Sequence, residues 1–327
     1  MDSFPGFIDL QVNGFLAIDF SSPELTLEEI IKVANGLRER GTVGFLATII
    51  TSAPEIYERN LPLLVKAMKT EITQGVILGI HAEGPFLSNQ PGAIGAHNPD
   101  WVKAPSIEFF KQMQKWADGN IKVLTIAAEN KGAVELTKYA TDNGVAVSLG
   151  HQLATGDDLK RCADAGAKLL THLGNGMPNE VNRHTNPMID GLAEDALTGM
   201  IITDGHHLPP ALIKIIIRTK GIAKTIITSD ASSLAGMPPG EYYAMGNHAI
   251  IEESGLLHNP EKQCLVGSSA TMLQCVNYLT SLELFSPEDI VKMGFTNPLK
   301  MINIDQSELN TGSGYRFDKQ SRQFIRA

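Results

Sequence analysis

Residues 76–85 read VILGIHAEGP, a short run of aliphatic side chains halted by a histidine, a carboxylate and a Gly-Pro turn. An apolar run of that length without polar alternation suits a strand buried on both faces, as the strands of a parallel sheet are. The pattern recurs. Working outward, similar runs fall at 6–11, 44–50, 121–127, 146–149, 168–172, 200–203 and 225–229. Amphipathic stretches suited to crossover helices lie at 27–40, 55–70, 106–116, 133–143, 156–165 and 210–219, with another at 269–281 after the last strand. Eight strands alternating with helices within about 230 residues predict an eightfold β/α (TIM) barrel, a fold of roughly 250 residues, over two smaller domains. An open doubly wound sheet is the alternative.

On this reading the barrel occupies residues 1–302. It carries an insertion at about 234–266, where Gly-Met-Pro-Pro-Gly precedes alternating segments that read as a loop plus a hairpin. A polar tail follows at 303–327, with edge strands expected around 315–317 and 323–325.

Composition narrows the function. The chain has 327 residues, 43% of them hydrophobic, and a formal net charge of -9. Phosphate-backbone binding needs clustered Lys and Arg, and no basic run occurs, so a nucleic-acid partner is excluded. Three cysteines, Cys162, Cys264 and Cys275, are odd in number and lack C-x-x-C spacing. They read as reduced core thiols. The amino terminus MDSFPGFIDL has no basic region followed by a long apolar one, and no stretch approaches the roughly 20 apolar residues of a membrane span. A cytoplasmic location and no membrane partner are the expectation.

In a β/α barrel, catalytic groups come from the carboxyl ends of the strands. Here those ends carry Gln11-Val12-Asn13, His81-Ala82-Glu83, His151, His172, Asp204-Gly205-His206-His207 and Asp230. Glu83, His151 and His172, on separate strands, suit one divalent ion with a fourth position left for water. Such an ion lowers the pKa of a coordinated water from ~15.7 towards 7. Asp230 would then move protons, from the water to a departing amide nitrogen. Taken singly, each has a plainer reading: a hydrogen-bonding structural histidine, a paired buried carboxylate, a helix cap. Glycine pieces such as Gly174-Asn175-Gly176 are ordinarily turns, and no G-x-x-x-x-G-K or G-x-G-x-x-G motif is present.

At these residues the chain resembles the amidohydrolase superfamily and, within it, the N-acetylglucosamine-6-phosphate deacetylases. The matching segments are PGFIDLQVNG (5–14), HAEGPFL (81–87), GAHNP (95–99), GHQLAT (150–155), THLGNGMP (171–178), DGHHLPP (204–210), TSDASSLAG (228–236) and GSSATM (267–272). The resemblance implies Glu83, His151 and His172 as metal ligands, Asp230 as catalytic acid and base, and His97 as the group that orients or polarises the acetyl carbonyl. It implies Asn175, Gly176 and His207 as contacts of the sugar or its phosphate. Arg183 is implied as a phosphate ligand that can act across a homodimer interface, although His184-Thr185-Asn186-Pro187 replaces the family's acidic-Pro-Gly context. Many amidohydrolases hold a second metal with His-x-His on the first strand. This chain has Gln11-Val12-Asn13 there, so one divalent ion is expected, with Gln11 and Asn13 supporting the site. Zinc is the first expectation, followed by iron, cobalt or manganese. The family's usual fifty or so residues before PGFID form a small β-sandwich with the carboxyl-terminal segment, so that sandwich is expected to be missing or vestigial. The substrate implied is N-acetylglucosamine 6-phosphate. The rivals are an amidohydrolase for an unphosphorylated N-acetylhexosamine or an N-acyl amino acid, and a noncatalytic sugar-binding barrel.

Overall fold

The computed structural model describes residues 3–244, 246–312 and 314–327. All eight apolar runs become strands of one parallel sheet. Strand β1 (Phe7–Val12) is followed by a small hairpin of two-residue strands, β2 (Gly14–Phe15) and β3 (Ile18–Asp19). The remaining barrel strands are β4 (Thr42–Ile50), β5 (Ile77–Glu83), β6 (Ile121–Ile126), β7 (Ala146–Leu149), β8 (Leu169–Leu170), β9 (Thr198–Ile202) and β10 (Thr225–Thr228). Their order in the sheet, β1-β4-β5-β6-β7-β8-β9-β10, follows the chain, and every adjacent pair is parallel. The TIM-barrel expectation is therefore met.

Helices α1 (Leu27–Glu39), α2 (Pro54–Met68), α3 (Ile107–Trp116), α4 (Ala133–Asp142), α5 (Gly156–Asp164), α7 (Pro210–Lys220) and α8 (Met272–Ser281) lie where amphipathic periodicity placed them. Local chemistry sets several of their starts. Thr26 with Glu29, Thr155 with Asp158 and Thr271 with Gln274 form reciprocal capping boxes that satisfy first-turn N–H groups. A further helix, α6 (Pro187–Ala193), lies between β8 and β9, where sequence periodicity indicated none. Its seven residues are too few for a clear period. Its start was nonetheless written in Asn186, whose side chain accepts from the N–H groups of Met188 and Ile189, and in Pro187.

Two apolar clusters organise the barrel. One lies between strands and helices. The other joins strand residues such as Leu10, Leu46, Leu78, Leu169, Met200 and Ile226 to Phe295 and Leu299 of the carboxyl-terminal segment. Functional polar groups collect beyond the carboxyl ends of the strands.

The insertion holds more than a hairpin. Strands β11 (Gly240–Ala244), β12 (Asn247–Ile251), β13 (Leu257–Asn259) and β14 (Cys264–Leu265) form a four-stranded antiparallel sheet around Leu234, Ala249, Ile251, Leu257 and Val266. The tail pairs β15 (Tyr315–Asp318) with β16 (Gln323–Arg326), and Phe4 bridges to Tyr315. Edge-to-face contacts of Phe7 with Phe4 and Phe324, at centroid separations of 5.1 and 5.2 Å, dock this ribbon on β1. Ribbon and bridge are what the described residues carry where a missing or vestigial sandwich was expected. Among the described residues no helix is long and apolar enough to cross a membrane.

The barrel closes with little backbone pairing. Among the described residues β1 and β10 share no ladder, and the backbone link between them is a single parallel bridge from Val12 to Ala231, just past β10. The buried Asp9 carboxylate spans the rest of the seam. It accepts from Thr228 Oγ1 at 2.6 Å and the Ser229 N–H at 3.1 Å, and also from the Ser229 hydroxyl. Burial pushes its pKa up, and these hydrogen bonds oppose that shift. Asp9→Ala would strand four buried donors, the Gln11 N–H among them, and should cost on the order of 3 kcal/mol of folding stability. The measurement is a urea midpoint at unchanged slope, and a loss below about 1 kcal/mol would show that the seam holds without the carboxylate.

Candidate metal centre and active site

Each candidate ligand stands where a strand stops. Glu83 is the last residue of β5, and His151 and His172 come two residues after β7 and β8. His151, His172 and Asp230 have φ of 51°, 29° and 49°. Left-handed backbone costs a residue with a Cβ about 1–2 kcal/mol. Three such residues around one cavity mark a place where local stability is given up to aim side chains. The turn at His172 also explains why β8 stops after Leu169–Leu170, short of the run at 168–172 that the sequence suggested. Strand-end His81 goes elsewhere, with Nδ1 at 3.0 Å from the Leu10 carbonyl and Nε2 at 2.7 Å from Thr125 Oγ1. Burial lowers its pKa to about 4, which makes it a neutral structural imidazole.

The ligand atoms converge. His172 Nε2 lies 3.0 Å from His151 Nε2 and 3.2 Å from Glu83 Oε1, and His151 Nε2 lies 3.3 Å from that same oxygen. His97 joins them, with Nε2 at 3.2 Å from His151 Nε2 and 3.8 Å from Glu83 Oε2. Glu83, His97 and His151 also offer ligand atoms within 4.8 Å of one another. His151 Nδ1 is 2.8 Å from the Ala93 carbonyl, which can only accept, so Nδ1 carries the proton and Nε2 presents a lone pair. The surrounding lone pairs outnumber the protons available to separate them, while the buried Nδ1 atoms of His172 and His97 have no hydrogen-bond partner. Two donors at ~2.1 Å from a tetrahedral ion sit about 3.4 Å apart, close to the spacing of this set. Imidazole nitrogens and a carboxylate therefore fit a divalent cation such as zinc.

Electrostatics separates the two buried carboxylates. Burial pushes Glu83 up, but the close approach of His151, His172 and His97 together holds it well below the ordinary value. Burial, reinforced by the Glu83 charge, raises Asp230 to about 7. Asn13 Nδ2 donates to Asp230 Oδ1 at 2.8 Å, and Gln11 Nε2 donates to Glu83 Oε1 at 2.8 Å. The amides of the first strand and its exit thus serve the carboxylates. Burial lowers His172, and it takes His97 down to about 3.

A cavity of about 540 Å³ brings together Asn13, Glu83, His97, His151, His172, Asn175, Gly176, His207 and Asp230. Gly176 has φ 61°, and a Cβ there would come within 3.0 Å of His151 Nδ1, so glycine is required for the close approach. Asn175 bonds back to the His172 carbonyl. Gln11 reaches the site through Glu83. Arg183 is not among the residues lining the cavity; it is exposed, with Nε donating to His184 Nε2 at 2.9 Å. Sequence reasoning placed Asp204 at a strand end without giving it a role; its Oδ2 accepts from His207 Nδ1 and Ser268 Oγ, each at 2.8 Å, and so fixes the His207 ring. It overlooked the insertion's contribution to the wall, His258 and Lys262 to Leu265. The Asp-x-x-His spacing of DGHHLPP was the available signal for Asp204.

An eightfold barrel with Glu and His converging at its carboxyl rim defines a metal-dependent hydrolase of the amidohydrolase superfamily. No protein-family model matches the chain. Curated relatives do. It is 30% identical to the N-acetylglucosamine-6-phosphate deacetylase of Lysinibacillus sphaericus over 314 residues, covering 94% of this chain and 78% of that protein. It is 30% identical to the human protein of that name over 319 residues, with coverages of 93% and 75%. Among solved structures, N-acetylglucosamine-6-phosphate deacetylase from Pasteurella multocida superposes with a TM-score of 0.84 at 27% identity, covering 98% of this chain and 83% of that one. A point mutant of the Mycobacterium smegmatis deacetylase, in complex with N-acetyl-D-glucosamine-6-phosphate, gives 0.83 at 26%, with coverages of 92% and 77%. The chain belongs to the N-acetylglucosamine-6-phosphate deacetylase family.

His172 and His97 compete for the role of third ligand, and the shorter contact of His172 with Glu83 favours it. His172→Ala should weaken divalent-metal affinity at least about a hundredfold, and His97→Ala about tenfold at most. Zinc titration with a competing chelator measures both. The reverse order would reassign the ligand set to Glu83, His97 and His151.

Proposed function

We propose that the chain hydrolyses the acetamido group of N-acetylglucosamine 6-phosphate, releasing glucosamine 6-phosphate and acetate. The observation that carries the reading is the Asp230 carboxylate. One oxygen is held by Asn13, the other takes no protein hydrogen bond among the described residues, and Asp230 lines the cavity of the Glu83–histidine cluster. Family membership supplies the substrate class.

Glu83, His151 and His172 would hold one divalent ion, zinc first and iron, cobalt or manganese after it. When bound, the ion supplies a water that ionises near neutral pH and a positive charge for the acetamido carbonyl. Asp230 Oδ2 takes the proton of the attacking water as the C–O bond forms. It returns that proton to the acetamido nitrogen as the C–N bond breaks, so the sugar leaves as an amine rather than as an unstable anion. His97 orients the carbonyl from the loop after β5. Asn175, Gly176 and His207 form the sugar wall, and Asp204 keeps His207 Nδ1 occupied so that Nε2 serves the ligand. Cys162, Cys264 and Cys275 are all free thiols, in keeping with the reducing cytoplasm in which we place the enzyme.

Asp230→Asn keeps the shape but neither accepts nor returns a proton, and should lower kcat by about 10²–10⁴-fold with bound metal retained. Undiminished turnover in that variant would remove Asp230 from the reaction. A panel of N-acetylglucosamine 6-phosphate, free N-acetylglucosamine and N-acyl amino acids, assayed for acid release, should give the phosphorylated sugar the highest kcat/KM. A higher value for an unphosphorylated amide would transfer the substrate to the rival class.

A further inference from the structure

Beside the metal centre lies a second cavity, of about 720 Å³, a size in the range of small-molecule sites. Among their described lining residues the two cavities share only Ala96 and Lys262. The second is walled by the β2–β3 hairpin and the turn after it, the exit of β4, the segment just past His97, and the insertion. Two polar groups face it without a partner. Ser233, three residues past Asp230, is only 3% exposed, yet its hydroxyl makes no hydrogen bond among the described residues. Asp19 Oδ1 accepts from the Ser21 N–H at 2.7 Å, while Oδ2 takes no protein hydrogen bond among the described residues. Burial raises Asp19 to about 6, with that one N–H opposing. A hydroxyl and a carboxylate left unserved in a sheltered space point to a ligand that hydrogen-bonds to both.

Charge and ring chemistry define that ligand. Glu24 and Glu29 line the same cavity, and its one described lysine or arginine, Lys262, has its ammonium on Asn247 Oδ1 at 2.6 Å. A phosphorylated sugar is therefore disfavoured there, and a cation supplies the charge that Asp19 lacks. Trp101 and Tyr243, 39% and 77% exposed, line the cavity together with Tyr242, whose hydroxyl is fixed on the Pro238 carbonyl at 2.8 Å. Aromatic rings attract an ammonium and also cover the apolar face of a sugar ring. A bare amine would leave the Ser233 hydroxyl unserved, and a neutral sugar would leave the Asp19 charge uncompensated. We propose that this second cavity binds a protonated amino sugar without a phosphate, its ammonium on Asp19 and a hydroxyl on Ser233. The occupant would lie against Ala96 and Asn98, the two neighbours of His97.

This site is independent of the deacetylase reading, since the experiment reads binding rather than turnover. Titration calorimetry of the metal-loaded full chain with glucosamine should give a saturable event with a Kd in the millimolar range or tighter. Tryptophan fluorescence should change in step, because Trp101 is one of only two tryptophans. Asp19→Asn keeps an acceptor for the Ser21 N–H but not the charge, and should weaken binding about tenfold or more. Tyr243→Ala, at an exposed position, should weaken it about threefold. Unchanged metal content reports that both variants are folded. Glucose, with a hydroxyl in place of the ammonium, should bind at least about tenfold more weakly than glucosamine. No saturable binding, or equal affinity for glucose, would overturn the proposal. So would glucosamine binding that survives Asp19→Asn but is lost in Asp230→Asn, which places the amine in the catalytic cavity.

Discussion

A buried carboxylate helps to hold the barrel shut where its backbone contributes a single bridge. Seven of the eight strand junctions are ladders, whose N–H and C=O groups satisfy one another without help from side chains. At the eighth, Asp9 gathers the groups of Thr228 and Ser229. Its position in sequence matters, because Asn13 and Asp230 are each within four residues of the seam. The Asn13 N–H donates to the Ala231 carbonyl at 2.8 Å, and the Asn13 side chain holds Asp230 from the same side. Closing the fold and aiming Asp230 into the cavity are thus one act. A ladder running past Thr228 would have kept residue 230 in extended backbone, where its side chain would follow the strand alternation instead of turning into the cavity.

The same trade recurs around the rim. His151, His172 and Asp230 all adopt left-handed backbone, and each is compensated by surroundings that leave little room to relax. His151 is pinned through Nδ1 to Ala93, and the His172 carbonyl is bonded by the Asn175 backbone and side chain. The rest of the barrel supplies the rigidity that keeps this strain in place, with the apolar interior cluster closed by Phe295 and Leu299.

Much of this was legible in the chain. Apolar runs without alternation mark strands buried on both faces, and the polar residue that stops each run is by construction near the rim, so Glu83, His151, His172 and Asp230 could be named from order alone. His97 could not, since it lies on a loop and entered only by resemblance. Asp9 was hidden for the opposite reason: inside an apolar run, a carboxylate gives no sign of what it faces until β1 and β10 are neighbours. The insertion's share of the cavity wall depends on contacts between segments far apart in sequence. The strands β13 and β14 hold three and two residues, too few for period-two alternation to register.

The two acidic groups of the site show why residue type alone underdetermines role. Glu83 and Asp230 are both buried carboxylates at strand ends, and in water they would titrate within about half a unit of each other. Histidines surround Glu83, so its charged form is stabilised and it suits holding a cation. Asp230 is buried with the Glu83 charge nearby, so its charged form is less favoured and a proton is easier to accept there, against the smaller opposing pull of the Asn13 amide. Pushing the affinities of a like pair apart is how one site can contain a fixed anion and a proton carrier together. The neutral Gln11 and Asn13 leave the separation in place. Gln11 donates to the carboxylate assigned to the cation and Asn13 to the one assigned to the proton, and neither adds a charge that would bring the two back into line. A histidine in either place would be a competing ligand and, when protonated, a cation beside Asp230 that favours its ionised form. The amides at 11 and 13 therefore hold the two carboxylates in place without adding a charge or a rival ligand.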